Sequence, residues 1–278
     1  NSSGTQLMRK LSTFRSFVVR LFRENPLGAI GAVVCLIFLF AAIFADLLAP
    51  YGFNQIMPSN RMKPPSWQFW FGTDHLGRDY LTRLYHGAQV SLLIGFSAMI
   101  ISGLIGTILG VMAGYFGGRV DMFVNFLITT RLSMPVILVA LAVVSIVGSS
   151  LTVVIWVLGL LIWDRFAVVM RSATQQVRSL EFITAAEALG CSHMRILLTE
   201  LAPNVMNHLI VVATLEMAHA ILLEAALSFL GLGVQPPTPS WGLMISEAKG
   251  LMYYDPWLIA IPGLALFMLV LSINLVGD

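Results

Sequence analysis

Three ionisable side chains interrupt one long apolar stretch of the chain. Glu216, His219 and Glu224 stand in a mainly apolar run from Val205 to Leu232, with His208 near its start. On a helix of 3.6 residues per turn they fall within an arc of about 140°. Groups of this kind can relay protons, line a cavity or gate, or bond to a neighbouring helix, where Arg131 is the candidate partner. We therefore predict that a cavity or a gate includes Arg131, Glu216, His219 and Glu224.

A second polar island, Gly72 to Asp79, holds one histidine and two aspartates. These residue types can bind a metal ion, but a hydrogen-bonded turn at the membrane surface is the simpler interpretation, and we predict no metal site. No pairing of a nucleophile with a base indicates a catalytic site. The chain also lacks a Walker A lysine, because no glycine precedes any of its three lysines, Lys10, Lys63 and Lys249.

The composition indicates a protein whose main solvent is lipid. Apolar residues make up 58% of the 278, charged residues 11%, and the mean hydropathy is +0.85. Soluble domains carry about 25% charged residues. The net charge of +2 gives no basic footprint for nucleic acid. The two cysteines, Cys35 and Cys191, lie in unlike surroundings and exclude a disulfide framework.

Six apolar runs are long enough to cross a bilayer, which takes about 20 helical residues. They cover residues 27–45, 88–116, 120–147, 151–169, 205–232 and 257–276. The sequence therefore predicts an all-α integral membrane protein with six transmembrane helices. It divides into an N-terminal segment 1–26, a first transmembrane helix 27–45, an external loop 46–87 and a five-helix core 88–278 that contains a polar loop at 170–204.

Basic residues predict the orientation of these spans. With the N-terminus inside, the cytoplasmic pieces carry ten Lys and Arg residues and the external pieces five. The positive-inside rule therefore favours cytoplasmic termini and a cytoplasmic 170–204 loop.

Small residues recur every four positions in the second run, at Ser102, Gly106, Gly110 and Gly114. Such a stripe lets a second helix approach closely. We therefore predict tight helix packing along it, and we read no substrate preference from it.

The polar loop 170–204 has the pattern of two short helices. Ser179 can cap the first, Phe182, Ala186 and Leu189 share one of its faces, and Gly190 can close it. A second helix is predicted from a cap at Ser192 to Leu201, where Pro203 would stop it. Because acidic residues balance the arginines here, we interpret this pair as a protein-docking element and not as a DNA-binding unit.

The same loop resembles the EAA loop of ABC importer permeases. That motif reads Glu-Ala-Ala, three residues, Gly, nine residues, then Ile-x-Leu-Pro. The matching positions are Ala185, Ala186, Gly190 and Pro203, and the departures are Thr184, Glu200 and Ala202.

Two further segments narrow the resemblance. Phe71 to Asp79 resembles a segment typical of dipeptide, oligopeptide and nickel permeases, and Ala226 to Gly242 is similar to a segment of their C-type subunit. The extra N-terminal span fits that subunit as well. Family chains continue past the equivalent of Gly277 and Asp278 with a short cytoplasmic tail, and the resemblance leaves open whether such a tail follows here.

The resemblance implies a type I ABC importer permease fold in the bacterial cytoplasmic (inner) membrane, with no catalysis and no cofactor in this chain. ATP and Mg²⁺ would bind to two partner ABC ATPases. A homologous B-type permease and an extracytoplasmic substrate-binding protein would complete the assembly. Coupling would run through residues 182–195 and Pro203, and the implied coupling residues are Phe182, Thr184, Ala185, Ala186, Gly190, Arg195 and Pro203.

The resemblance implies di- or oligopeptides as substrates, with nickel complexes, glutathione or oligosaccharides as alternatives. Cys35 stands alone and the methionines are dispersed, which disfavours a naked metal ion. The residues alone leave another class open, a proton-coupled secondary transporter that uses Glu216, His219 and Glu224 as a relay. That class gives no role to the 182–195 segment.

Overall fold

A computed structural model describes residues 25–277 as a bundle of α-helices, so the predicted segment 1–26 lies almost wholly outside the described residues. The helices are α1 (Pro26–Ile43), α2 (Ala45–Leu48), α3 (Tyr80–Phe116), α4 (Gly118–Leu132), α5 (Val136–Val147), α6 (Leu151–Leu161), α7 (Asp164–Arg178), α8 (Glu181–Ala188), α9 (His193–Phe229), α10 (Trp241–Ala248) and α11 (Trp257–Gly277). Short 3₁₀ turns lie at Pro58–Asn60 and Lys249–Leu251. Five helices, with α6 and α7 counted together, can cross a membrane, and α4 with α5 makes a sixth. The all-α class is confirmed.

The third predicted span, residues 120–147, is formed by two helices, α4 and α5, which meet at an angle of 81°. The break falls at Ser133–Pro135, and Pro135 is the residue that precedes the first turn of α5. Proline has no backbone N–H to donate, and it disfavours the helical conformation in the residue before it, Met134. The local chemistry of Pro135 therefore divides this span.

Other helix ends also differ from the predicted spans. α1 ends at Ile43, and α3 begins at Tyr80, eight residues before the predicted start. Asp79 caps α3 by accepting a hydrogen bond from the Thr82 N–H at 2.8 Å. The predicted loop 170–204 is mostly helical, because α7 continues to Arg178 and α9 begins at His193.

The sequence predicted that the second short helix would stop before Pro203. In the structure the helix continues past this residue. A helical turn at His193–Arg195 leads into a wide π-helical turn, Ile196–Leu201, and then into the α-helix Ala202–Phe229. Proline is tolerated in the first turn of an α-helix, which is where Pro203 lies. All three pieces thus form the single 37-residue helix α9.

The small-residue stripe packs α3 directly onto α7. A Cβ atom added to Gly106 would lie 2.3 Å from the Trp163 carbonyl oxygen, and one added to Gly110 would lie 2.5 Å from that of Ala167. Side chains cannot fit at such distances, so the backbones of the two helices approach each other closely. The predicted packing is confirmed.

Two apolar clusters stabilise the bundle. One joins α3, α5, α6 and α9 around Ile94, Leu158 and Leu227. The other joins α1, α3, α10 and α11 around Trp241, whose indole Nε1 donates to the Leu84 carbonyl at 2.9 Å. Helices α3 and α9, which carry many of the polar residues, therefore pack against an apolar cluster on each side.

Candidate functional site

The short helix α8 is closed as predicted but capped differently. Gly190 follows its C-terminal end with φ +76°, a conformation that favours glycine. The predicted cap, Ser179, is wrong. Leu180 occupies the cap position, and the Ser179 hydroxyl donates to the Gln176 carbonyl at 2.7 Å.

One side of α8 exposes apolar side chains. Phe182, Ala185 and Leu189 are exposed, and Leu189 has 83% of its surface accessible. Ala186 is half-buried against the interior, so it forms only the edge of this face. We call Phe182, Ala185 and Leu189 the α8 outer face.

The opposite side of α8 is anchored in the bundle. Ile183 is buried in a cluster that includes Tyr115 of α3, Met170 of α7 and Ile196 of α9. The Tyr115 hydroxyl is 3.0 Å from Nδ1 of His193. A displacement of α8 would therefore be transmitted to three long helices.

The remaining predicted coupling residues lie around this segment. Thr184, Gly190, Arg195 and Pro203 are all exposed. Ser192 caps the start of α9 as predicted, since its hydroxyl accepts from the Arg195 N–H at 3.4 Å.

Glu216 lies in a polar cluster between α7 and α9 and is 1% exposed. Its Oε1 accepts from Nη1 of Arg165 at 3.2 Å, and its Oε2 is 3.2 Å from Nδ1 of His219. The suggested partner, Arg131, is wrong. The structure pairs Glu216 with Arg165, because α7 places that residue opposite α9.

Arg131 has a different set of contacts, at the breaks between helices. Its Nε donates to the carbonyl of Leu161 at the end of α6, and its Nη1 donates to that of Met134 at 3.5 Å. Its Nη2 lies 3.5 Å from Oδ1 of the buried Asp164. Broken helices at membrane depth leave carbonyls that need other donors. Arg131 supplies them at both breaks.

A cavity of about 580 Å³ opens beside this cluster. The end of α4, at Leu132, forms one wall, α7 a second and α9 a third. Its lining is apolar at Val168 and Val211, with Arg165 and Glu216 among the charged residues at its wall. The volume lies in the usual range for small-molecule sites, about 300–1,000 Å³.

Glu224 is not part of the Glu216 cluster. It is fully buried, and its Oε1 accepts from the hydroxyls of Ser228 at 2.7 Å and Ser240 at 2.8 Å. The four predicted cavity or gate residues thus fall into separate environments. Glu216 and His219 form one cluster, Arg131 sits at the helix breaks nearby, and Glu224 holds the segment before α10.

The Gly72–Asp79 island forms a turn, as interpreted from the sequence, and it carries a buried ion network. Asp74 accepts from Arg78 Nε at 2.7 Å and from Arg83 Nη1 at 2.9 Å. Arg83 also donates to Glu247 of α10 at 2.6 Å. Burial alone would raise the pKa of the Asp74 carboxyl, but the guanidiniums of Arg83 and Arg78 outweigh it and hold that pKa below its usual range.

Ligand atoms of Asp74, His75 and Glu247 also lie within 4.8 Å of one another, a spacing that a metal ion could bridge. Two of the three groups already bind guanidiniums. The side chains of the Gly72–Asp79 segment therefore form an ion network that joins the start of α3 to α10.

Sequence reasoning missed several residues of these sites. No site role was predicted for Arg165, although it lies in the middle of the α6–α7 pair. The adjacent opposite charges of Asp164 and Arg165 inside an apolar run were an available signal. No signal in the sequence indicated the roles of Ser240 and Glu247, because these roles depend on how α10 folds back onto α3 and α9.

The fold and these sites define an integral membrane transport subunit: a helical bundle with a charged cavity and a short, anchored, apolar surface helix. Two family matches agree. Residues 106–278 match the family described as binding-protein-dependent transport system inner membrane component, and residues 13–65 match the N-terminal TM domain of oligopeptide transport permease C.

Similar proteins have related names. The chain is 40% identical to the dipeptide transport system permease protein DppC of Alkalihalophilus pseudofirmus, covering 92% of this chain and 84% of that one. It is 39% identical to the glutathione transport system permease protein GsiD of Escherichia coli, with 93% and 86% covered. It is 33% identical to the oligopeptide transport system permease protein OppC of Bacillus subtilis, with 97% and 88% covered.

A solved structure of the methionine ABC transporter MetNI, in an inward-facing conformation, shares the fold. The TM-score is 0.59 at 20% identity, covering 70% of this chain and 93% of the other. The predicted type I ABC importer permease fold is confirmed.

The chain therefore belongs to the family of binding-protein-dependent ABC importer permeases, and within it to the C-type subunits of the dipeptide and oligopeptide group. It is a multi-pass protein of the bacterial inner membrane and a transport subunit, not an enzyme. ATP hydrolysis belongs to partner subunits, so the alternative of a proton-coupled secondary transporter is wrong.

Proposed function

We propose that this permease forms half of the translocation pathway of a peptide importer and that the α8 outer face couples it to an ATPase. The other half is a homologous B-type permease, two ABC ATPases bind ATP and Mg²⁺, and an extracytoplasmic protein delivers the substrate. The termini and α8 lie on the cytoplasmic side. The observation that carries the coupling proposal is the two-sided construction of α8, with an exposed apolar outer face and a buried inner face.

Exposed apolar side chains in a compact cluster are costly in water and mark docking surfaces. Phe182, Ala185 and Leu189 follow the spacing of one helical face. The ATPase that covers them would push on a rigid lever, because Ile183 and Tyr115 belong to the cluster that joins α8 to α3, α7 and α9. Alternating access then requires two packed states whose balance ATP binding shifts.

Peptides are the proposed substrates because the similar permeases named above serve dipeptides, oligopeptides and glutathione, which is itself a tripeptide. Nickel complexes and oligosaccharides remain weaker alternatives. In assemblies of this kind the external binding protein sets much of the selectivity, so the test must include it.

The test is to solubilise the tagged chain gently from its own membranes and identify by mass spectrometry the proteins that copurify. We expect a second permease and two ABC ATPases. The reconstituted assembly, with its binding protein, should take up labelled di- and tripeptides only with ATP. Recovery of this chain alone, still able to drive uptake without ATP, would contradict the proposal.

A further inference from the structure

Arg165 lies near the middle of the helix pair Leu151–Arg178, which is long enough to cross a membrane. It is 14 residues from Leu151 and 13 from Arg178, about 21 Å and about 20 Å at 1.5 Å per residue. A hydrocarbon core is about 30 Å thick, so with both ends of the pair at or beyond the bilayer surfaces the Arg165 backbone lies about 9–15 Å below the nearer one.

The Arg165 side chain is nevertheless 59% exposed. A charged group at this depth faces a water-filled cavity or another protein, because lipid contact is too costly. The surface that bears Arg165 and the 580 Å³ cavity is therefore the side of this permease that faces the pathway and its partner.

The Arg165 guanidinium is held in place by Glu216, and only one of its three nitrogens donates a hydrogen bond within the described residues. Its Nη1 donates to Glu216, whose other oxygen contacts His219, so the carboxylate is fixed from both sides. Within residues 25–277, Nε and Nη2 of Arg165 have no acceptor in hydrogen-bond range. A guanidinium has five donors, and its planar edge matches a carboxylate with two parallel hydrogen bonds.

We propose that Arg165 binds the terminal carboxylate of a peptide in the 580 Å³ cavity and that Glu216 is the positioning residue that holds the guanidinium toward it. This inference rests on the proposed function, since it assigns a subsite within the peptide pathway. The apolar wall at Val168, Val211 and Leu215 then contacts the peptide side chains without selecting among them. A peptide whose C-terminus is an amide presents no charge to Arg165 and binds more weakly.

The test is protection of a cavity cysteine in the complete importer. Cys35 and Cys191 are the only cysteines of the chain, and both are replaced by serine before Val211→Cys is introduced in the cavity wall. The rate at which a water-soluble maleimide labels this chain is measured by mass spectrometry, in inside-out vesicles without nucleotide. Trialanine or trialanine amide is added from the cytoplasmic side, so that binding does not depend on the external protein.

We expect trialanine to slow labelling and the amide to do so only at roughly tenfold higher concentration, the usual value of a hydrogen bond to a charged group. In Arg165→Gln, trialanine should slow labelling only at the concentration that the amide requires. In Arg165→Lys, trialanine should still act at a lower concentration than the amide, but the difference between the two concentrations should be smaller. A cysteine at Arg119, an exposed position at the cytoplasmic start of α4 and outside the cavity lining, is the control and should label equally in all cases.

Equal protection by both peptides, or full protection by trialanine in Arg165→Gln, would overturn the subsite and indicate that Arg165 pairs with an acidic residue of the partner permease. Assembly and ATPase activity of each variant are measured alongside, and Arg165→Lys serves if Arg165→Gln fails to assemble. Uptake by the unsubstituted importer separates the two claims. If it transports no peptide, the proposed function and the subsite both fail, whereas peptide uptake with equal protection removes the subsite alone.

Discussion

Glu224 and Ser240 are joined by a hydrogen bond of 2.8 Å inside the protein, from the serine hydroxyl to Oε1 of the carboxylate. Ser240 also caps α10, since its hydroxyl accepts from the Leu243 N–H at 3.1 Å. The same carboxylate oxygen accepts from Ser228 at 2.7 Å. One buried carboxyl group therefore ties the end of α9 to the start of α10.

Replacing Glu224 with alanine should lower the free energy of unfolding by about 1–3 kcal/mol, because two buried hydroxyls lose their acceptor. Glu224→Gln keeps an acceptor oxygen and should lose less. Thermal unfolding of the purified protein in detergent measures both, with Glu181→Ala, at an exposed position of α8, as the control. If Glu224→Ala unfolds like the unsubstituted protein, this hydrogen-bonded junction does not stabilise the fold.

Gly106→Ala should destabilise the bundle by about 1–3 kcal/mol, the usual cost of overpacking. Its methyl group would meet the Trp163 carbonyl at 2.3 Å and force α3 away from α7. Gly263→Ala in α11 is the matched control, because no atom lies within 4 Å of its added Cβ. The same unfolding assay compares them, and equal stability of the two variants would show that α3 and α7 pack less closely than described.

Asp74→Asn should lower stability at neutral pH by about 3 kcal/mol, since the buried guanidiniums of Arg78 and Arg83 lose one of their two counter-ions and keep only Glu247. Because the folded pKa of Asp74 lies below its ordinary value, the carboxylate stabilises the protein above that ordinary value, about 3.9. This stabilisation disappears as the pH falls through the lowered folded pKa.

The measurement is the difference in unfolding temperature between Asp74→Asn and the unsubstituted protein across pH 7 to about 3. The difference should be largest near neutral pH and should shrink at the acid end. A difference that stays constant over this range would show that the ionised carboxylate contributes nothing beyond its shape.

The features that the sequence predicted well depend on local spacing. The stripe that contains Gly106 and Gly110 repeats every four residues, so its helix contact follows from periodicity alone. The same holds for Gly190, which closes α8 with a positive φ. The bend at Pro135 could also have been predicted from the local effect of proline on a helix. Hydropathy alone gave a single span over α4 and α5.

The polar contacts between distant segments could not be predicted in this way. Glu216 is 51 residues from Arg165, and Glu247 is 164 residues from Arg83. Which residues meet depends on how each helix is rotated about its axis, and the nearly uniform apolar surface of a membrane helix carries little information on that rotation. The partner of Glu216 was therefore assigned wrongly, although its burial inside the bundle was expected from its charge.

The coupling position best suited to a test also changes with the structure, since Ala186 is half-buried and a charge there would disturb the packing of α8 itself. Leu189, on the α8 outer face, tests docking without that complication. Leu189→Met is its matched control, because it keeps an apolar side chain of similar size.

The most direct test of the account is ATP-dependent peptide uptake by the reconstituted importer that carries Leu189→Asp. Burial of a side chain of this size contributes about 1.5–3 kcal/mol, so a charge there should weaken ATPase docking roughly tenfold or more. We predict that uptake is lost while the permease remains folded, and that Leu189→Met transports normally. Uptake by Leu189→Asp at the unsubstituted rate would contradict the assignment of α8 as the coupling surface.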